Sequence, residues 1–510
     1  MRPFAACTGG AARANVLRTL GDHLGAEVDV LRRLGIALAL AAMTSAVLVP
    51  GDAGAARDRE WLAERMATGG SDGAVAHLAA FDRIAAENGG NRGVGSTGFE
   101  RSLDYVADRL TGAGYEVTYQ DVPYRGFHID AERATAPDGT GVRVLMSQYG
   151  PSTAEGGLTA PLFALPAGQE DSAPGCEAAD YPAQARGTIA LVRTGGCTTP
   201  GKAKAAGEAG VAALLLYEVS PAPWTVLRLR APDSLIPVGH LTQLDAEALA
   251  AQAGAPLTVE LRGRDEYATT VNLFAETAGG QPDDVVMAGA HLDSSSDGPG
   301  VNDNGSSVAA VLEAALRLAP YQDVVPNKVR FAFWGAEELV NIGSHHYVES
   351  LTPAQVEAIT LYLNYEMLAS SNYVNFVMDG DDSDHPDTGG PAAPPGSGQI
   401  EAVMTQGYRI QREPLKTADF ASMRSDSEAF IAAGIPSGGA HGGIRGLKTP
   451  EEAAVFGGTA GQFYDPCYHQ SCDDLAHANL AAMRASARAV AWAVGRFAVY
   501  DEDVRAASSR

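Results

Sequence analysis

Two carboxylates stand side by side in Phe333-Trp334-Gly335-Ala336-Glu337-Glu338, at the end of an apolar run. Buried together without a cation, they would repel each other. A metal ion resolves the conflict: one becomes a ligand, and the other sits beside it as general base for an activated water. The plainer alternative is a solvated helix start, where the helix dipole favours glutamate. Further segments weigh against it. Ala288-Gly289-Ala290-His291-Leu292-Asp293 ends another apolar run with an imidazole, and Asp293 is spaced to hold the second ring nitrogen and fix the tautomer. Gly300-Val301-Asn302-Asp303-Asn304-Gly305 offers Asp303, whose two oxygens suit it to bridge two metals. Glu366 closes a third run in Asn364-Tyr365-Glu366-Met367, and Tyr464 to Asp473 carries Tyr468 and His469 between Cys467 and Cys472. Imidazole and carboxylate are zinc ligands, and a pair of zinc ions lowers the pKa of a shared water and polarises a carbonyl.

These side chains need strands to carry them, because ligands in open α/β sheets bind beyond the carboxyl ends of the strands. Val285 to Ala288, Val329 to Trp334 and Ile359 to Met367 read as buried strands. Between them, Ser306 to Leu318 has helical spacing, and Pro353 to Ala358 reads as a short helix capped by Thr352. Helices are also predicted over Val75 to Asn88, Gly98 to Thr111 and Leu480 to Val499, with a strand over Tyr115 to Val122. The alternation implies an α/β fold: a mixed, mainly parallel sheet flanked by helices. From about Ala131 to Gly263 the texture changes to short β-like runs separated by Gly and Pro, with a short helix over Lys202 to Glu208, as in an inserted β-rich or mixed domain. Asp379 to Gly398 reads as a long surface loop.

The motifs, in this order, resemble the M28 family of zinc metallopeptidases, its secreted bacterial aminopeptidases in particular. The likeness runs from about Val75 onward, and Tyr464 to Asp473 is its most diagnostic part. Gly175-Cys176, Gly187 to Val192, Gly195-Gly196-Cys197 and Ile236-Pro237-Val238 resemble a protease-associated (PA) domain. The division expected is residues 1–57 for an upstream segment and signal peptide, 58–130 for the first part of the peptidase domain, 131–265 for the PA-like insert and 266–510 for the catalytic domain. The resemblance implies that His291, Asp303 and Glu366 hold one zinc and that Asp303, Glu338 and His469 hold a second. It implies Glu337 as general acid/base on a metal-bridging water and Tyr468 as donor to the oxyanion. The family usually carries aspartate where this chain has Glu366, so the carboxylate reaches one methylene further. Arg424-Ser425-Asp426 matches a segment near the family's substrate, with Ser427 where histidine is common; Asp419 is the nearest acid upstream.

The formal net charge of −25 repels phosphate backbones and speaks against a nucleic-acid partner. Arg32 and Arg33, the apolar run Ile36 to Val49, and Ala53-Gly54-Ala55 follow the order of a secretory signal, and the run is short for a membrane anchor. Beyond Cys7, which would be lost with the signal, four cysteines allow three pairings; proximity favours Cys176 with Cys197 and Cys467 with Cys472. A secreted monomer acting on peptides with a free N-terminus, with two zinc ions, is the expectation. Its rivals are a carboxypeptidase or glutaminyl-cyclase-like enzyme of the same fold and an inactive peptide-binding homologue. His345 and His346 read as surface or packing residues, His441 as a loop histidine and His385 as solvated. The P-loop-like Gly196 to Lys202 is followed by Ala203 instead of Ser or Thr, and neither Gly93 to Gly98 nor Ser71 follows a strand.

Overall fold

A computed structural model describes residues 60–69, 71–166, 174–386, 393–419, 425–501 and 503–505. The expected signal, Cys7 and Arg424 lie outside them.

The apolar runs form the middle of a sheet. Strand Gln281–His291 lies between Asn327–Trp334 and Ile359–Glu366, parallel to both, and Ser437–His441 runs parallel to Ile359–Glu366 on the far side. Phe376–Met378 adds antiparallel to Ser437–His441, and Lys416–Ala418 adds parallel to it. On the opposite edge Pro256–Glu276 pairs antiparallel with Asn327–Trp334. The result is the mixed, mainly parallel sheet expected.

Alternation along each central strand fills two separate cores, because successive side chains point to opposite faces. Val286, Ala288, Ala290, Val329, Phe331, Phe333, Leu361 and Leu363 face one core with helices Ser307–Leu318 and Leu480–Phe497. Val285, Met287, Ala332, Trp334, Ile359 and Tyr362 face the other, where Tyr347 and Phe430 complete an aromatic cluster. Tyr362 and Phe430 stack with centroids 3.9 Å apart, and the Trp334 Nε1–H donates to Tyr362 Oη at 2.7 Å. Both faces are thus covered, and only the strand ends stay available for chemistry.

The helices predicted over Val75 to Asn88, Gly98 to Thr111 and Pro353 to Ala358 are Asp72–Glu87, Thr97–Gly112 and Pro353–Ala358. The strand predicted over Tyr115 to Val122 is much longer. Glu116–Thr135 pairs along its length with Pro256–Glu276 as an antiparallel ribbon, which passes continuously from the peptidase sheet into the insert. Most of the ribbon's middle is exposed or half-buried on both faces, so no hydrophobic alternation marks it. In the insert, Leu158–Ala164, Ile189–Arg193, Ala213–Tyr217 and Val238–Leu241 form a parallel run. Its helix begins at Thr199, three residues before the expected Lys202, because Thr198 caps it and Pro200 occupies the first turn. Both favoured disulfides are present, Cys176–Cys197 and Cys467–Cys472.

Candidate metal centre

His291 and Glu366 are the last residues of their strands, and Glu337 and Glu338 follow Trp334 by three and four positions. Register brings these ends together, since Trp334 pairs with His291 and Asn364 with Gly289. Asp303 arrives on the turn Val301–Ser306 that opens helix Ser307–Leu318. His469 arrives on the loop closed by Cys467–Cys472.

All five predicted ligands converge. His291 Nε2 lies 3.4 Å from Asp303 Oδ1 and 3.2 Å from Glu366 Oε1. His469 Nε2 lies 3.1 Å from Asp303 Oδ2 and 3.0 Å from Glu338 Oε2. One donor atom from each of His291, Asp303 and Glu366 falls within 4.8 Å of the others, and so does one from each of Asp303, Glu338 and His469. Asp303 belongs to both groups. Glu337 stands beside them, its Oε2 3.7 Å from His291 Nε2.

The electrostatics are those of a site built around cations. Burial drives the Glu337 carboxyl well above its ordinary pKa, and Glu366, Asp426 and Glu338 push the same way. Burial also raises Glu338 and Glu366. Burial would depress His291, yet the carboxylates of Glu337 and Glu366 outweigh it and hold the imidazole well above its usual range. Asp303 Oδ2 and Glu338 Oε1 are buried and accept no hydrogen bond from the protein. Buried polar atoms are normally paired, so these two oxygens, aimed among histidines and other carboxylates, fit a divalent cation that accepts N and O donors. The residues present therefore fit zinc.

A supporting shell fixes the ligands. Asp473 accepts the main-chain N–H groups of Asn302 at 2.7 Å and Asp303 at 3.0 Å. Asp465 accepts from Asn302 Nδ2 and from the Cys467 amide, linking the Asp303 turn to the His469 loop. Ser425 Oγ donates to Glu366 Oε2 at 2.6 Å, leaving Oε1 to face His291. Arg92 is fully buried and donates to the carbonyls of Leu292, Pro299 and Gly300, cinching the loop between His291 and Asp303. Nothing local in the sequence marks these roles of Arg92, Asp473 and Ser425, because their partners lie 59 to 208 positions away.

Several expectations need correction. Asp293 meets the His291 ring through its main-chain oxygen, 2.9 Å from Nδ1, while its carboxylate stands 3.7 Å away. That carboxylate instead accepts the amides of Glu337 and Glu338 at 3.1 and 3.2 Å, because the turn after Trp334 folds back over it. His441 ends a strand instead of sitting in a loop, as the register partner of Glu366, and its ring stacks on Phe376 at 4.8 Å. His385 is half-buried, 3.1 Å from the Thr417 carbonyl, because Asp379 accepts the amides that fold its loop inward. His345 and His346 sit on helix Ile342–Glu349 and join no metal-capable group among the described residues.

Tyr468 stacks on His469 with ring centroids 3.8 Å apart. Burial and then the Asp303, Glu338 and Glu337 carboxylates keep its phenol protonated, well above the ordinary pKa. It also borders a cleft of about 520 Å³ lined by Phe376, His441, Ile444 and Tyr464 among others, beside the carboxyl ends of the strands.

The sequence matches the model of peptidase family M28 over residues 272–494 and that of the PA domain over residues 158–249. It is 40% identical over 433 residues to a probable lipoprotein aminopeptidase of Mycobacterium tuberculosis, covering 84% of this chain and 85% of that one. It is 36% identical over 453 residues to an aminopeptidase of Pseudomonas aeruginosa, covering 86% and 83%. In fold it is similar to a zinc aminopeptidase from Bacillus subtilis, with a TM-score of 0.63 at 23% identity over 83% of this chain and 94% of that one. A peptidase M28 precursor from Shewanella amazonensis superposes with a TM-score of 0.65 at 19% identity, over 88% and 97%.

Proposed function

This chain belongs to peptidase family M28 with a PA domain set within it, and we propose that it is a secreted, zinc-dependent aminopeptidase that removes N-terminal residues from peptides. The observation that carries this reading is the pair of overlapping donor groups sharing Asp303, with an extra carboxylate, Glu337, alongside. His291, Asp303 and Glu366 would hold one zinc ion, and Asp303, Glu338 and His469 a second. Zinc bound there supplies Lewis-acid polarisation of the scissile carbonyl and a more acidic water.

The protein's own groups do the rest. Glu337 is raised in pKa and next to the cage, which suits a base that accepts a proton from the attacking water and returns it to the leaving amine. The neutral Tyr468 phenol is held by stacking on His469 and donates a hydrogen bond to the oxyanion. Asp293, by accepting both amides of the Glu337–Glu338 pair, keeps the base in place. Asp426 is buried with both carboxyl oxygens lacking a hydrogen-bond partner and is assigned to neither ion, so it offers an acceptor suited to a substrate's free ammonium. Disulfides agree with export to an oxidising compartment. Among the described residues no helix is long and apolar enough to cross a membrane.

The test pairs metal analysis with kinetics. The purified protein is expected to hold about two zinc ions and to release amine from aminoacyl anilides but not from their N-acetylated forms. Glu337→Gln is expected to lower kcat by about 10²–10⁴-fold with zinc content unchanged. Cleavage of N-blocked peptides, or loss of zinc together with activity in Glu337→Gln, overturns the assignment of roles.

A further inference from the structure

The loop that carries Glu337 and Glu338 is held in an unfavourable backbone. Ala336, Val340 and Asn341 all have positive φ, at 60°, 74° and 54°, though none is glycine. Such conformations persist only where the surroundings over-determine them. From within the peptidase sheet, Asp293 accepts the amides of Glu337 and Glu338. The next group of the same backbone, the Glu338 carbonyl, is held from outside that sheet: Arg230, on the segment that precedes Val238–Leu241 of the PA domain, donates to it from Nη2 at 3.1 Å.

Arg230 is itself well seated. Its backbone bridges to Gln148, with the Gln148 amide donating to the Leu229 carbonyl at 3.0 Å and the Ala231 amide to the Gln148 carbonyl at 2.9 Å. Its guanidinium lies over the Tyr149 ring, 5.6 Å from the centroid. Two residues earlier, Arg228 is anchored bidentately to Glu132 at 2.7 and 2.9 Å and to Asp297 at 2.9 and 3.1 Å, tying the same stretch to the ribbon and to the loop after His291. The same stretch meets the other ligand loop as well, where Gln470 Nε2 donates to the Val226 carbonyl at 2.6 Å and to the carbonyl of the neighbouring His469 at 2.8 Å.

We infer that Arg230 of the PA domain is a positioning residue for the Glu337–Glu338 loop, so that the inserted domain is a working part of the active site. Asp293 and Arg230 hold consecutive amide and carbonyl groups and keep the general base in place against the strain of its loop. This rests on the aminopeptidase reading above. A planar guanidinium on a rigid platform suits the task, since it brings a fixed fork of donors with little rotamer freedom left to lose.

Arg230→Met removes the donor and keeps the stem; Arg230→Lys keeps a charge and one donor. Against an aminoacyl anilide, Arg230→Met is expected to lower kcat about tenfold or more while KM stays within about twofold, the pattern of a misplaced catalytic group. Arg230→Lys should recover part of the loss. In metal-free protein, amide exchange over residues 336–341 should accelerate in Arg230→Met, with the central strands unchanged. Wild-type kcat in Arg230→Met, a change confined to KM, or unaltered exchange over 336–341 overturns the inference. If the wild-type enzyme leaves aminoacyl substrates intact, the functional reading fails, while the exchange measurement still decides whether Arg230 holds the loop.

Discussion

Ser425 is the residue that fits a glutamate into a position where the family resemblance leads one to expect aspartate. The longer side chain of Glu366 would swing freely about its added methylene. The Ser425 hydroxyl takes one oxygen at 2.6 Å and turns the other toward His291 at 3.2 Å. Outer-shell partners of this kind orient ligands, and losing one typically costs about 10–100-fold in metal affinity. Ser425→Ala should therefore weaken zinc retention by that order, read by competition with a chelator, while the fold stays intact. Unchanged retention would mean that packing alone orients Glu366. The contrast shows what is legible at this scale. The five candidate ligands stood out because each is a metal-capable residue type at a marked place: at or just beyond an apolar strand, in a glycine-flanked turn that opens a helix (Asp303), or between cysteines. Ser425 and Arg92 did not, because a hydroxyl or a guanidinium bonding to a distant loop leaves no local pattern.

Individual elements divide along the same physical line. Strand Asn327–Trp334 carries Val329, Phe331, Ala332, Phe333 and Trp334 close together and was found to within two residues, while the apolar middle of Gln281–His291 was found without its polar start. The ribbon Glu116–Thr135 with Pro256–Glu276 is held mainly by its backbone ladder between half-exposed faces, so only the start of each strand, Tyr115 to Val122 and Thr258 to Leu261, was visible as β-like. The two disulfides act on different elements. Cys176–Cys197 spans 21 positions of the PA domain, and opening such a loop costs on the order of 3 kcal/mol in the chain-entropy account. Cys467–Cys472 spans only 5, so its contribution to stability is smaller, but it encloses both Tyr468 and His469. Paired serine substitutions should separate these effects. Removing Cys176–Cys197 is expected to lower the unfolding midpoint with modest change in kcat, and removing Cys467–Cys472 to lower kcat more than tenfold with the smaller thermal cost. Equal thermal losses with equal activity losses would refute the division.

For the molecule as a whole, one chain builds two kinds of interior. The peptidase cage concentrates carboxylates that a cation must balance, so anything that binds only the folded state stabilises it by mass action, about 4 kcal/mol at a thousand-fold excess over Kd. Chelation should lower the unfolding midpoint, and zinc should restore it. The PA domain keeps its buried charges paired, Lys202 against the Pro174 carbonyl and Glu260 with Arg133 and Arg262, and buries one imidazole in an otherwise apolar core. His240 is 3% exposed, meets Ser147 Oγ at 2.7 Å, and is held by burial at a pKa of about 3, with the Arg228 charge adding to the effect. Above pH 6.5 the ring is neutral in both folded and unfolded chains. Between 6.5 and about 3 only the unfolded chain takes up the proton, so folded stability falls as pH falls, on the order of 1 kcal/mol per pH unit for this group. Glutamine in place of His240 keeps a hydrogen-bonding partner for Ser147 and cannot titrate. His240→Gln is therefore expected to show a shallower loss of unfolding free energy than wild type between pH 6.5 and pH 4, with the two curves parallel above pH 7. Parallel curves throughout would mean that His240 is protonated in the folded domain, which its burial against Arg228 opposes.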